Sequence, residues 1–246
     1  MLIAILSDIH ANREALESCL DAVAAARADR IVLLGDIVGY GADPEWCLDT
    51  VRRLIEDGAI AVRGNHDEAA ASTTQSMTSN ARVAIEWTRN RLDADARAFL
   101  GALPLRIDDG DRLYVHADAS APGAWRYVLD SADARRHLNA SDAQASFCGH
   151  THRPALHCLS AMNRITSFTP SASEPIPLGA QRRWLAVMGA VGQPRDGNPA
   201  AAFGLHDTTT RTLRFCRTPY DTETAARKIL DAGLPEALAA RLLKGH

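Results

Sequence analysis

Apolar residues fill positions 1–6 without interruption, and the run ends at Ser7-Asp8-Ile9-His10. An unbroken apolar stretch of this length predicts a strand buried on both faces. Asn12 then stands as an N-cap before Ala15, Leu16, Cys19, Leu20 and Val23, which recur at helical spacing. The alternation repeats. A second apolar strand over 30–34 delivers Gly35-Asp36, about one βαβ unit after Asp8, so a right-handed crossover sets both carboxylates at the same end of neighbouring parallel strands. The loop Gly39-Tyr40-Gly41-Ala42-Asp43-Pro44 follows, with Asp43 as the expected N-cap and Pro44 at the first position of a helix running to about Asp57. It lacks the third glycine of a dinucleotide fingerprint. A short strand over 59–62 empties into Arg63-Gly64-Asn65-His66-Asp67.

The segment 68–80 is small and polar without a decisive period, and reads as a surface excursion or frayed helix at the rim of a pocket. Helices are expected over 81–91 and 94–100, the second stopped by Pro104. The turn Asp108-Asp109-Gly110-Asp111 opens a hairpin whose return strand, 112–115, ends at His116. A helical stretch containing 133–138 precedes a strand over 146–148, which ends in Gly149-His150-Thr151-His152. The rest reads as antiparallel β over 155–160, 164–168, 184–188, 200–206 and 210–215, with a loop over 170–179. An alanine- and leucine-rich tail over 221–246 is expected to be helical and broken at Gly233-Leu234-Pro235.

Bulk properties narrow the function classes. Twenty-seven basic and 30 acidic residues leave a net charge of -3, which offers no broad cationic field for a nucleic-acid backbone or an anionic membrane. No apolar run reaches the ~20 residues of a membrane span, and no leader pattern opens the chain. The five cysteines, at 19, 47, 148, 158 and 216, are scattered without a Cys-x-x-Cys pair, so they read as reduced thiols of a cytoplasmic protein. One domain over 1–246 is expected, since 46% hydrophobic content builds a substantial core and no internal repeat divides the chain. The oligomeric state stays open.

The chemistry lies at the strand ends. Asp8 and His10 stand two residues apart, a spacing that turns both side chains to one side of a strand. A carboxylate oxygen and an imidazole nitrogen aimed at one point suit a divalent metal. Asp36, then Asn65 with His66 and Asp67, then His116, then His150 with His152 close the other four strands, so five of the nine histidines sit in these clusters. His137, His157, His206 and His246 have no such partners and read as packing or surface residues.

This ordered set, Asp-x-His, Gly-Asp, Gly-Asn-His-Asp, a lone His and Gly-His-x-His, resembles the calcineurin-like metallophosphoesterase superfamily. The Gly-Tyr-Gly-Ala-Asp-Pro loop, the stretch Val191-Gly192-Gln193-Pro194-Arg195-Asp196-Gly197 and the Gly233-Leu234-Pro235 tail resemble its small bacterial phosphatase and phosphodiesterase branch. The resemblance implies a four-layer α/β/β/α sandwich. It implies that Asp8, His10, Asp36 and His152 bind one metal, and that Asn65, His116 and His150 bind another with Asp36 shared. It further implies two divalent ions from among Mn, Fe, Zn and Ni, a bridging hydroxide as nucleophile, and a small phosphoester substrate. His66 would face that substrate beside Asn65 and assist the leaving oxygen, with Asp67 fixing its ring. Arg195 is a candidate to bind a phosphate oxygen, or else to pair with Asp196. Two departures stand out: Val187, Met188, Gly189 and Ala190 occupy the place of the branch's usual Asn-Pro-Gly-Ser, and Ala117-Asp118 replaces a glycine after His116. Monoesters, diesters and dinucleoside polyphosphates all remain open as substrates. So does a non-catalytic scaffold of the same fold, although the superfamily's retromer subunit lacks the substrate-facing histidine that His66 supplies here.

Overall fold

The structure, a computed structural model, describes residues 1–72, 77–172 and 174–246. Two six-stranded sheets lie face to face between layers of helices.

The first sheet is built on β1 (Leu2–Leu6), β2 (Arg30–Leu33) and β3 (Ile60–Ala61), which are parallel and ordered β3-β2-β1. Alternation along β1 explains why its sequence is apolar throughout. Ile3 and Ile5 face the other sheet, where they meet Tyr114, Phe147 and Met188, while Ala4 and Leu6 face the helices. Those helices are α1 (Arg13–Ala25) and α2 (Pro44–Glu56). Asn12 caps α1 as its position predicts, its Oδ1 accepting from Ala15 N at 3.1 Å. Asp43 behaves otherwise. It makes no side-chain cap bond; its carboxylate accepts from Lys228 Nζ at 2.9 Å instead, tying the loop to the tail.

The motif after β3 is the first turn of α3 (Asn65–Ala71), so the 68–80 segment begins and ends in helix, with 72 and 77–78 irregular between, and positions 73–76 lie outside the described residues. Helices α4 (Ser79–Arg91) and α5 (Ala94–Ala102) follow as expected. The second sheet then begins with the hairpin β4 (Arg106–Asp109) and β5 (Arg112–Val115), continues after α6 (Ser131–Leu138) with β6 (Ala145–Cys148), and takes in β7 (Ala155–Ser160) and β8 (Ile165–Phe168). Two expectations about the remainder fail. A two-residue strand, β9 (Ile176–Pro177), interrupts the expected loop and edges the first sheet; Ser173 lies outside the described residues. And β10 (Arg182–Val187) is not purely antiparallel, since it pairs antiparallel with β7 but parallel with β6. The reason is topological: β10 fills the centre of the second sheet, in the order β4-β5-β6-β10-β7-β8, where it separates β6 from its sequence neighbour β7.

Strands β11 (Ala201–Asp207) and β12 (Thr212–Thr218) return to the first sheet beside β1. The tail forms α7 (Thr222–Asp231) and α8 (Glu236–Lys244), broken at Gly233 in a left-handed turn. It packs against Tyr40, Ala81 and Ala84. The C-terminal ends of β1, β2, β3, β5 and β6 thus all open on one edge of the sandwich, where sheets of this kind carry their ligands.

Candidate functional site

Backbone conformation, more than strand alternation, brings the polar residues together. β1 ends at Leu6, and Asp8 and His10 lie beyond it with φ of 56° and 51°. Asp36, His150 and His152 are also left-handed, at 53°, 68° and 58°. Each such turn costs a non-glycine residue about 1–2 kcal/mol, so five in one place mark a site whose geometry the surrounding fold enforces. Backbone pairing supplies the enforcement: Asp8 N, His10 N and Ala11 N donate to the carbonyls of Gly35, Asp36 and Ile37 at 2.9–3.0 Å. Glycine permits the close stacking. A Cβ on Gly64 would stand 2.2 Å from Asp36 Oδ1, and one on Gly149 would stand 2.5 Å from Asp8 Oδ2.

All seven residues expected to bind metal converge. On one side, His10 Nε2 lies 3.1 Å from His152 Nε2, and His152 Nε2 lies 3.3 Å from Asp8 Oδ1. On the other, His116 Nε2 lies 3.1 Å from Asn65 Oδ1 and 3.2 Å from His150 Nδ1. Asp36 sits between, its Oδ2 3.6 Å from His10 Nε2 and 3.4 Å from His116 Nε2, while its Oδ1 accepts from His66 N at 2.8 Å. Asp8, His10 and His152 form one group whose ligand atoms lie within 4.8 Å of one another; Asp36, His116 and His150 form a second. His10, Asp36 and His66 form a third, so His66 stands closer to the cage than a purely substrate-facing residue needs to.

The outer nitrogens test whether a cation fits. His10 Nδ1 donates to Val38 O, His116 Nδ1 to Leu34 O and His152 Nδ1 to Gln193 O, at 2.6–3.3 Å, while His150 Nε2 donates to Trp125 O at 3.0 Å. These bonds fix which nitrogen of each ring faces inward, so the neutral rings of His10, His150 and His152 turn a lone pair to the cage. The lone pairs of His10 and His152 face each other at 3.1 Å and repel, and a shared cation converts that repulsion into ligation. Burial pushes His10 and His152 well below the usual imidazole range and His150 down to about 3, which keeps them neutral as ligation requires. Burial opposes charge on His116 as well, yet the charge and hydrogen bond of Asp36 raise it to about 9. Positive charge is thus drawn to the point where the carboxylates meet. Oxygen and nitrogen donors in this mixture suit divalent transition metals.

A cleft of about 510 Å³ opens onto the cage, lined among others by Asn65, His66, Tyr40, Trp125, Tyr127 and Arg195. The His66 ring stands 4.8 Å from that of His10 and 4.4 Å from that of Tyr40. Its Nδ1 is buried against Gly39, without a hydrogen-bond partner among the described residues. A proton there would lack an acceptor, so the ring carries its proton on Nε2, and burial lowers its pKa to about 4. Asp67 does not fix this ring, contrary to expectation. Its Oδ1 accepts from Ile37 N and Val38 N at 2.8 and 3.3 Å, and its Oδ2 from Gly64 N at 2.9 Å. As N3 of α3 it closes a capping interaction, and it holds the loop that carries Asp36.

Arg195 lies in the cleft, 5.6 Å from the centre of the Tyr40 ring, and donates to Gln193 Oε1 at 2.8 Å. The alternative pairing with Asp196 is absent, because Asp196 pairs with Arg217. Among the described residues no carboxylate lies within 4.0 Å of the Arg195 guanidinium. Asp118, which replaces the family's glycine region, is buried and bonded to Arg136 and Ser120. The five cysteines are free and none joins the cage. Sequence reasoning missed Tyr40, Trp125 and Tyr127. The available signal was Gly123-Ala124-Trp125-Arg126-Tyr127, two aromatics in a stretch without period in a chain with only 5% aromatic residues.

Comparison with known proteins agrees with this geometry. The calcineurin-like phosphoesterase superfamily domain matches residues 1–211. This chain belongs to that superfamily. An uncharacterized protein of Methanocaldococcus jannaschii is 32% identical over all of this chain and 98% of its own length. The crystal structure of a metallophosphoesterase from Sphaerobacter thermophilus superposes with a TM-score of 0.88 at 36% identity, covering 100% of this chain and 99% of that one. A hypothetical protein from Pyrococcus horikoshii shares the fold at a TM-score of 0.81 and 18% identity, covering 100% and 98%. Calcineurin-like phosphoesterases are metal-dependent, and this member clusters the ligands a metal needs. No helix among the described residues is long and apolar enough to cross a membrane.

Proposed function

We propose that this calcineurin-like phosphoesterase hydrolyses a small phosphoester at a pair of divalent cations. One cation would be held by Asp8, His10, Asp36 and His152, the other by Asn65, His116, His150 and the shared Asp36. The observation that carries the reading is the pair of inward-facing imidazole contacts, 3.1 and 3.2 Å, on the two sides of Asp36. Divalent ions bound there supply Lewis-acid polarisation of the phosphoryl oxygens and acidify a water for attack.

The chain's own groups do the rest. Arg195, with no acid within reach among the described residues, offers a planar N–H fork to a phosphoryl oxygen, and Asn65 borders the same space. As the new oxygen–phosphorus bond forms, the ester P–O bond breaks and its electron pair leaves with the alcohol oxygen. His66 offers its Nε2–H to that oxygen as a hydrogen bond that stabilises its developing charge, and solvent supplies the proton that completes the alcohol. Asp67 acts as a positioning residue through the backbone on which Asp36 sits.

The test is turnover of a chromogenic monoester and a chromogenic diester with added manganese, on protein whose metal content has been measured. Hydrolysis of either supports the enzyme. No turnover of either by fully loaded protein would point to a scaffold of the same fold.

A further inference from the structure

The cage and Arg195 meet the phosphoryl half of the ester, and the wall of the cleft meets the alcohol half. Resting on that reading, we propose that the alcohol carries a planar ring system of nucleobase type, which lies against Tyr127, and that Tyr127 determines this specificity. A bare phosphoryl group needs the cage and Arg195 alone. The cleft, at about 510 Å³, lies within the range that holds a drug-sized organic ligand.

The aromatic wall is presented by design of the fold. Val128 is buried in the cluster beneath α6 and pins the loop, so that its neighbour Tyr127 is turned outward. Tyr127 stacks flat on the candidate ligand His150, with ring centres 4.1 Å apart and planes 11° apart. The residue is nonetheless 47% exposed, so one ring face is covered by the site and the other is offered to the cleft. Trp125 reinforces the arrangement. Its φ of 54° is rare for a bulky residue, and this turn lets its carbonyl accept from His150 Nε2 while its side chain borders the cleft. Its buried indole N–H has no hydrogen-bond partner among the described residues. Met77, whose thioether adapts to flat rings, stands elsewhere on the same rim. A half-exposed aromatic fixed rigidly beside a metal cage is a stacking platform, sequence-tolerant because every base has a π-face.

A nucleoside 5′-monophosphate and ribose 5-phosphate isolate this contact, because they share the same ester and differ only in the base. Each is titrated as a competitor of the chromogenic ester on manganese-loaded wild type, Tyr127→Phe and Tyr127→Leu, and its binding is also measured directly by calorimetry. Stacking is expected to make the nucleotide about 5- to 150-fold the tighter ligand. Tyr127→Phe keeps the ratio. Tyr127→Leu, which still covers His150 with apolar surface, brings it below about threefold while the ribose 5-phosphate constant and metal content hold. Equal constants in wild type, or a ratio indifferent to Tyr127→Leu, would overturn the proposal while leaving the phosphoesterase reading intact. Absence of any turnover, with nucleotide-selective binding retained by calorimetry, would overturn the activity and leave the base platform standing.

Discussion

Gly39→Ala probes the site without touching a candidate metal ligand. Gly39 has a φ of 89°, and a Cβ built on it would lie 2.4 Å from His66 Nδ1 and 3.1 Å from His66 Cγ. Ordinary contact begins near 3.4 Å, so the ring must retreat by about 1 Å. Tyr40 and His10 flank the ring at 4.4 and 4.8 Å, which leaves the cleft as the direction of retreat. Misplacement of a reacting group by about 1 Å costs roughly 10²-fold in rate, and that is the expected loss in kcat on a chromogenic ester. The backbone contributes separately: left-handed alanine costs about 1–2 kcal/mol, a fall in Tm of about 2–8 °C for a chain of this size. Gly58→Ala is the control, because Gly58 shares the positive φ, at 98°, with nothing within 4 Å of its Cβ. It should lower Tm comparably and leave kcat unchanged. Metal content, measured alongside, should match wild type in both. Gly39→Ala with kcat within about threefold of wild type would refute the placement of His66 at the reacting end of the cleft.

The remaining predictions concern the cage, its supports and acid stability. Asp36→Ala should lose bound metal, because that carboxylate lies between His10 and His116 and serves both proposed cation positions, whereas His66→Ala should lower turnover with metal content kept; equal metal loss in both would make His66 a ligand, as its closeness to His10 and Asp36 allows. Lys228, about one-third exposed, joins Glu14 to Asp43 across the tail, so Lys228→Met should cost about 1 kcal/mol and lower Tm by about 2–4 °C, and an unchanged Tm would remove that strap from the stability account. Burial pushes His137 down to about 4. An unfolded histidine binds its proton near pH 6.5 while the folded one stays neutral, so stability present above pH 6.5 is lost as the pH falls toward 4, by about 2 kcal/mol at pH 5. In His137→Asn the amide oxygen can take over the bond from Ala119 N, so the variant should lose less stability than wild type between pH 7 and pH 5 in denaturant titrations; parallel losses would refute this source.

Much of the molecule follows from local rules. The apolar run before Ser7, the capping Asn12, Pro44 at its helix start and the break at Gly233 each specify their element through nearest neighbours, and the structure bears them out. The polar residues of the cage were also legible, because residues at the C-terminal ends of parallel strands must share an edge whatever the loops do. What tertiary structure alone decided depends on contacts between residues far apart in the chain. The left-handed turns at Asp8, His10, Asp36, His150 and His152 exist because neighbouring loops pair with and crowd them. Asp67 adjoins His66 in sequence, yet its carboxylate is claimed by amides of the loop some thirty residues earlier. The Lys228 strap and the stacking of Tyr127 on His150 join segments no periodicity connects. Hydrophobic pattern is a property of each segment and can be read there, whereas the partner of a buried polar atom is chosen only when the segments meet.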